Sequence, residues 1–152
     1  MKRGLVSLEE TDAHRDLLSE AAASARGSDA ELVVLWHLDA DEYDEDVTTL
    51  EAVGRIENVE YDHSSIIDGA RSNARSFVTS VLGDAGADVR VAVDVGSDDD
   101  RAERILEAAD EHDCGHAFII GESRSPTGKA VFGDVAQRVV LNFDGYTTIR
   151  TV

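Results

Sequence analysis

The sequence contains very little cysteine, proline, lysine or aromatic residue. Its 152 residues include one cysteine, one proline and two lysines, and aromatic side chains make up 5%. The single cysteine, Cys114, excludes an internal disulfide and is typical of a reducing compartment. No apolar run reaches the ~18 residues that a membrane-spanning helix needs. The short apolar run 5–8, which follows two cations, predicts a first strand rather than a signal peptide. We therefore expect a cytoplasmic protein.

Negative charge dominates the composition. There are 32 acidic and 14 basic residues, for a net charge of -18, and the acids are spread along the whole chain. High salt screens charges over short distances, and acidic side chains keep a protein hydrated there, so the composition looks like an adaptation to high intracellular salt. The same surface argues against nucleic acid and anionic membranes as partners, because both are negatively charged.

Length and apolar periodicity predict one α/β domain over residues 1–152. A chain of this length buries ~70% of the surface that it exposes when unfolded. Continuous apolar runs alternate with segments of helical spacing, a pattern typical of an open, doubly wound sheet of five parallel strands with helices on both faces. Ligands of such sheets bind beyond the carboxyl ends of the strands, where the strand order reverses. The strands are predicted at 4–8, 32–38, 89–95, 116–120 and 146–152, and the helices at 12–26, 63–82, 99–112 and 134–142.

Residues 39–61 give the weakest pattern. The segment is highly acidic, and its apolar residues have no clear period. We expect it to form a mobile loop that includes a short helical piece.

The stretch 119–134 carries the strongest indication of a ligand. An apolar strand ends at Gly121, a polar loop with two cations follows, and another helix begins after it. A strand, a glycine-containing loop and a helix N-terminus together present backbone N–H groups to a phosphate. The loop is not a Walker A motif, since Ser123 stands where its first glycine should be and Ala130 follows Lys129.

This stretch resembles the nucleotide-binding signature of the universal stress protein family. Gly121, Gly128 and Gly133 match the family's glycines, but Arg124 replaces one glycine, Asp134 replaces a serine or threonine, and the loop is one residue short. The resemblance covers nearly the whole chain. It implies an acidic member of haloarchaeal type with a Rossmann-like, adenine nucleotide alpha hydrolase-like fold. The residues it implies for contact with ATP or AMP, with or without Mg²⁺, are Ser7, Leu8, Glu9, Leu38, Ile120, Gly121, Arg124, Gly128, Lys129, Gly133, Asp134 and Val135.

Asp134 leaves two interpretations open. As the N-cap of the helix 134–142, with Gln137 completing a capping box, its carboxylate takes the N–H groups that would hold phosphate and repels an anion. Alternatively, a bound cation bridges Asp134 to the phosphates and nucleotide binding is kept. Two interpretations are also open for Glu9, Arg124 and Lys129, because each can contact nucleotide or remain a surface charge. His37 is either a packed histidine or part of the pocket.

The function implied by the resemblance is a homodimeric stress-response or regulatory module with weak or lost ATP binding. The implied dimer forms through the last strand, from Tyr146 to Val152. The second hypothesis is a nucleotide-binding member that uses a cation near Asp134, and the third is a nucleotide hydrolase or transferase at the same cleft.

Catalysis and metal binding have little support in the sequence. No nucleophile or base stands in a recognisable catalytic motif, so we expect a binding protein rather than an enzyme. His112, Cys114 and His116 lie close together but match none of the usual zinc spacings, so we expect no metal site. Cys114 is instead predicted to be a small buried apolar residue.

Overall fold

The five predicted strands are present and run parallel. The computed structural model describes residues 2–60, 62–86, 88–122 and 133–152. The strands in this part of the chain are β1 (Arg3–Leu8), β2 (Glu31–Asp39), β3 (Val89–Gly96), β4 (His116–Gly121) and β5 (Tyr146–Thr151). They form one sheet in the order β3-β2-β1-β4-β5, and each neighbouring pair is parallel. The predicted doubly wound parallel sheet is confirmed.

Helices cover both faces of this sheet, as predicted. They are α1 (Asp12–Gly27), α2 (Ala40–Glu57), α3 (Ser64–Leu82), α4 (Arg101–Glu111) and α5 (Gly133–Asn142), and short 3-10 helices lie at Gly83–Gly86 and Asp98–Asp100. One face of the sheet packs against α1 and α3, and the other packs against α4 and α5. Within the described residues, none of the helices combines the length and the apolar character needed to cross a bilayer.

The central strand β1 shows why the strands read as continuous apolar runs. Val6 and Leu8 lie in the core beneath α1 and α3, whereas Leu5 lies in the core beneath α4 and α5. All three are 0% exposed. Successive side chains of a strand point to opposite faces, so a strand that is covered on both faces needs apolar residues at consecutive positions.

The core beneath α1 and α3 contains an aromatic pair. Trp36 of β2 and Phe77 of α3 are both buried, and their ring centroids lie 5.4 Å apart. Full burial of a large apolar side chain contributes about 1.5–3 kcal/mol. The guanidinium of Arg15, on α1, lies over the Phe77 ring at 4.9 Å from its centroid. This packing fixes α1 and α3 against β2, and so it helps to position the end of that strand.

The prediction for residues 39–61 was wrong in its main point, because an 18-residue helix, α2, occupies most of the segment. Asp39 caps the helix: its Oδ1 accepts from the backbone N–H groups of Asp41 and Glu42. Asn58 ends the helix in the left-handed conformation, with φ 57°. Only Gly54 is buried along the helix. A helix with almost no buried face shows no apolar periodicity in its sequence. Only its capping residues could have predicted it.

The turn between α5 and β5 requires glycine at position 145. Gly145 has φ +155°, and a Cβ there would lie 2.5 Å from the carbonyl oxygen of Gly115. That carbonyl also accepts the N–H of Tyr146, at 3.1 Å, so it is held in place by the start of β5.

We therefore expect Gly145→Ala to lower the free energy of unfolding by about 2 kcal/mol or more, because a backbone atom has to move. Urea denaturation measures the change. The matched control is Gly69→Ala, at an exposed position inside α3 where a Cβ meets nothing within 4 Å. It should raise stability by up to about 1 kcal/mol. Equal stabilities of the two variants would contradict this account of Gly145.

Candidate functional site

The candidate site is a cleft at the carboxyl ends of β1 and β4. These strands are neighbours in the sheet, yet β1 leads into α1 on one face and β4 leads toward α5 on the other. Ligands of doubly wound sheets bind at such a switch point. The cleft has a volume of about 200 Å³, and the described residues that line it are Ser7, Glu9, His14, Arg101, Ile105, Ile119, Ile120, Glu122, Gly133, Asp134, Val135 and Ala136.

The wall formed by β1 and α4 contains a shared ion pair. Nη2 of Arg101 donates to Oε1 of Glu9 at 2.9 Å and to Oδ1 of Asp98 at 2.8 Å. The Arg101 side chain is 18% exposed, and its buried Nε has no hydrogen-bond partner among the described residues. Arg101 is also the only Arg or Lys among the described lining residues. One guanidinium is therefore shared between two carboxylates, and within the described lining it leaves little positive charge for a ligand.

The start of α1 places a histidine in the same wall. Thr11 is the N-cap, and its hydroxyl accepts the backbone N–H of His14. The same hydroxyl lies 2.6 Å from Nδ1 of His14, and Nε2 of His14 lies 3.9 Å from Oε2 of Glu9. Burial is the main cause that lowers the pKa of His14; the negative charge of Glu9 opposes this effect and the positive charge of Arg101 adds to it. The cap thus fixes the orientation of a buried imidazole at the cleft.

The wall formed by β4 and α5 is acidic. Glu122 follows β4 directly, and its Cγ and Cδ lie 3.3 Å from the point that a Cβ on Gly133 would occupy. Gly133 itself has φ +78°, which glycine adopts without steric cost. Asp134 is exposed in the first turn of α5. The helix begins at Gly133, one residue earlier than predicted, so Asp134 lies inside the first turn rather than at the N-cap. Two carboxylates thus flank the N-terminus of α5.

The structure brings together half of the residues implied by the resemblance. Six of them line the cleft: Ser7, Glu9, Ile120, Gly133, Asp134 and Val135. Leu8 is fully buried under α1 and α3, and Leu38 packs against the same core. Gly121 is buried at the end of β4, where its carbonyl accepts the N–H of Val152. Arg124, Gly128 and Lys129 lie outside the described residues.

Sequence reasoning did not assign His14, Arg101 or Glu122 to the cleft. His14 had a local signal, because Thr11 and His14 have the spacing of an N-cap and its third helical residue. Arg101 had none, since it lies 92 residues from Glu9 and only the fold joins the two. Glu122 follows the strand that ends at Gly121 and could have been assigned from that position alone.

The cluster at the opposite end of β4 has a packing role. Cys114 is buried, as predicted, and burial raises the pKa of its thiol to about 11. His116 stacks on Phe118 with ring centroids 4.1 Å apart, and its Nε2 lies 2.8 Å from the hydroxyl of Thr148. Burial also lowers the pKa of His116. These contacts hold β4 against β5.

Comparison with known proteins gives a consistent assignment. The model of the Universal stress protein family matches residues 1–145. No curated protein sequence matches the chain significantly.

Three solved structures show the same fold. A universal stress protein from Archaeoglobus fulgidus is 24% identical, with 98% of each chain covered and a TM-score of 0.63. A universal stress protein from Lactobacillus plantarum is 15% identical, with 98% of this chain and 97% of the other covered and a TM-score of 0.63. An Archaeoglobus fulgidus universal stress protein solved in complex with dAMP is 18% identical, with 98% and 97% covered and a TM-score of 0.58. At these identities the similarity establishes the fold alone.

The lowered pKa of His14 predicts a pH dependence of stability. The unfolded chain takes up a proton on His14 near the ordinary value of 6.5, whereas the folded chain does so only at lower pH. Between these values the unfolded state binds more protons, so stability is fully present above about pH 6.5 and falls as the pH falls below it. The slope from one histidine is at most about 1.4 kcal/mol per pH unit.

Denaturation at a series of pH values between 7.5 and 5.5, as rough limits above the main carboxylate titrations, measures this slope. His14→Gln should make the dependence shallower than it is in the wild type. An identical slope in wild type and His14→Gln would show that His14 does not contribute.

Proposed function

The chain belongs to the universal stress protein family, and on that premise we propose that it is a homodimeric regulatory binding module whose cleft holds adenine nucleotides weakly. The observation that carries the proposal is the charge of the cleft. Glu9, Glu122 and Asp134 face it, and Arg101, the described cation of the lining, is already paired with Glu9 and Asp98. Within the described part of the cleft, a triphosphate would therefore lie next to these carboxylates.

The region around the N-terminus of α5 supports the weak-binding proposal most directly. A helix N-terminus attracts anions through its free N–H groups and the positive end of its dipole. Here Asp134 stands in that first turn and Glu122 packs over Gly133. The helix dipole stabilises both carboxylates, and both carboxylates repel a phosphate. A ligand anion must therefore displace or neutralise charges that the protein already supplies.

A second candidate, nucleotide binding through a bridging cation, is favoured by the same arrangement. Glu122 and Asp134 offer carboxylate oxygens, which are the ligands that Mg²⁺ prefers. An Mg²⁺ ion between them and a phosphate would turn repulsion into attraction. The dAMP complex of the Archaeoglobus fulgidus relative supports an adenine nucleotide as the ligand class.

We propose a non-catalytic role for the cleft. A general base needs a free acceptor within reach of the substrate. Among the described lining residues, Oε1 of Glu9 accepts from Arg101 and is therefore not free to act as a base. A nucleotide hydrolase or transferase would instead show turnover of bound ATP, which the binding experiment below also reports.

The dimer is proposed to form at the edge that β5 provides. In the described part of the sheet β5 pairs with β4 on one side and is the last strand on the other. An unpaired edge offers free N–H and C=O groups to a second chain. Apolar side chains are exposed at and next to it: Tyr146 at 75%, Val152 at 53% and Leu141 of α5 at 74%. A second copy would pair with the edge and cover these side chains.

The nucleotide proposal is tested by calorimetric titration of ATP and AMP in molar KCl, with and without Mg²⁺. Weak or undetectable ATP binding is expected without Mg²⁺. Asp134→Ser should strengthen ATP binding by about fivefold, because a like charge ~4 Å away costs about 1 kcal/mol in water-like surroundings. The matched control, Asp144→Ser, removes an exposed acid at the other end of α5 and should change nothing.

Micromolar binding that depends on Mg²⁺ and is lost in Asp134→Ser would favour the bridging cation over weak binding. Tight ATP binding that is indifferent to both Mg²⁺ and Asp134→Ser would refute both versions. Release of ADP during the titration would establish a hydrolase.

The dimer proposal is tested by Leu141→Glu, which places a charge on an exposed apolar residue beside β5. We expect the mass measured by light scattering to fall from twice the chain mass to 16.4 kDa. The control Ile56→Glu changes an apolar residue of α2 that is 85% exposed and should leave the mass unchanged. A wild-type protein of 16.4 kDa at high concentration would refute the dimer.

A further inference from the structure

A second cluster of polar groups lies at the carboxyl ends of β2 and β3, apart from the nucleotide cleft. His37 of β2 is directly opposite Asp94 of β3 in the parallel register. Two residues further along β2 is Asp39, and two residues beyond the end of β3 is Asp98, the first residue of a 3-10 helix. One ligand atom from each of His37, Asp39 and Asp98 lies within 4.8 Å of the others.

His37 is the residue that distinguishes this cluster from the many surface acids of the chain. Its side chain is only 5% exposed, and its Nε2 is buried without a hydrogen-bond partner among the described residues. The nearest acidic atom to Nε2 is Oδ1 of Asp98, at 4.0 Å, which is too far for a hydrogen bond. A buried polar atom without a partner is costly, so its position calls for a ligand.

Asp94 holds the imidazole from the opposite side. Its Oδ2 lies 3.4 Å from Nδ1 of His37, and the Asp94 side chain is 9% exposed. When Nδ1 carries the proton and donates to Asp94, Nε2 has a free lone pair directed away from Asp94. A carboxylate that orients a histidine in this way is the usual outer partner of a metal-binding histidine.

From this arrangement we propose that His37, Asp39 and Asp98 bind a divalent transition-metal ion of the zinc type, with Asp94 as the positioning residue behind His37. An imidazole nitrogen favours zinc and its neighbours over Mg²⁺ and Ca²⁺, which take oxygen ligands. Three protein ligands leave a fourth position of a tetrahedral ion for water or a ligand. The site goes beyond the proposed nucleotide function and uses none of the cleft's lining residues.

The three ligand atoms, which lie within 4.8 Å of one another, must move closer together to hold such an ion. Ligand atoms around a tetrahedral zinc ion are about 3.4 Å apart, given bond lengths near 2.1 Å. The 4.0 Å between Nε2 of His37 and Oδ1 of Asp98 must therefore shorten, and Asp98, whose side chain is 82% exposed, has to loosen its contact with Arg101 to do so. Asp39 uses Oδ1 to cap α2 and has a second oxygen for the ion.

Two arginines compete with the metal for these carboxylates. Nη2 of Arg101 contacts Asp98 at 2.8 Å, and Nε of Arg104 lies 3.7 Å from Oδ1 of Asp94. The Arg101 guanidinium is shared with Glu9, so Asp98 holds only part of its charge. Arg104 contacts Oδ1 of Asp94, whereas His37 contacts Oδ2. The contact that orients His37 is therefore kept.

The test is a calorimetric titration of chelator-stripped protein with ZnCl₂ in molar KCl, alongside thermal unfolding with and without zinc. We expect one zinc per chain and a higher unfolding midpoint with zinc, because the ion binds the folded state. Zinc affinity should fall by about 10- to 100-fold in Asp94→Asn, and by at least as much in the two ligand variants His37→Gln and Asp98→Asn.

Matched controls separate the site from adventitious binding. Asp99→Asn changes the next exposed acid in the same 3-10 helix, and His63→Gln removes an exposed histidine; both should keep wild-type affinity. Asp98→Asn serves if His37→Gln fails to fold, because Asp98 is exposed. The proposal is overturned if the wild type binds no zinc, if zinc binding survives both His37→Gln and Asp98→Asn, or if Mg²⁺ competes with zinc at equal concentration.

Discussion

The parallel pairing of β1 with β4 is the contact on which the rest of the structure depends. Its register aligns Gly4 with His116, Leu5 with Ala117 and Val6 with Phe118. The helices that follow the two strands, α1 and α5, pack on opposite faces of the sheet, so a gap opens between the strand ends. Polar residues that follow β1 and β4, among them Glu9 and Glu122, line this gap. The cleft is thus a consequence of topology, and its chemistry is set by a few residues at the strand ends.

The chain has few basic residues, and Arg101 is shared between two carboxylates. A single guanidinium contacts Glu9 at the proposed nucleotide cleft and Asp98 at the proposed metal site. Both carboxylates would otherwise stand near further acids with little to offset them. Neutralising Asp98 by a metal would therefore free Arg101 to interact more strongly with Glu9 or with a phosphate. The two sites share this residue even though their other groups are separate.

Sequence periodicity predicted those parts of the fold that bury apolar residues at regular intervals. Strands such as β2 and helices such as α3 were predicted to within one or two residues, because their burial repeats along the chain. Helix α2 was missed because it buries only Gly54 and is held by its caps at Asp39 and Asn58. For the cleft, the family resemblance implied twelve contact residues, of which Ser7, Glu9, Ile120, Gly133, Asp134 and Val135 line it, whereas Leu8, Leu38 and Gly121 do not.

The sequence by itself determined the fold class, the family and the acidic character of the chain, because each follows from residues that are close together or from simple composition. Only the tertiary structure decided which distant residues meet. Arg101 joins Glu9 across 92 positions, and His37 lies beside Asp94 across 57. Neither pairing leaves a local pattern, since both arise where parallel strands, joined by long crossovers, bring their carboxyl ends to one edge of the sheet.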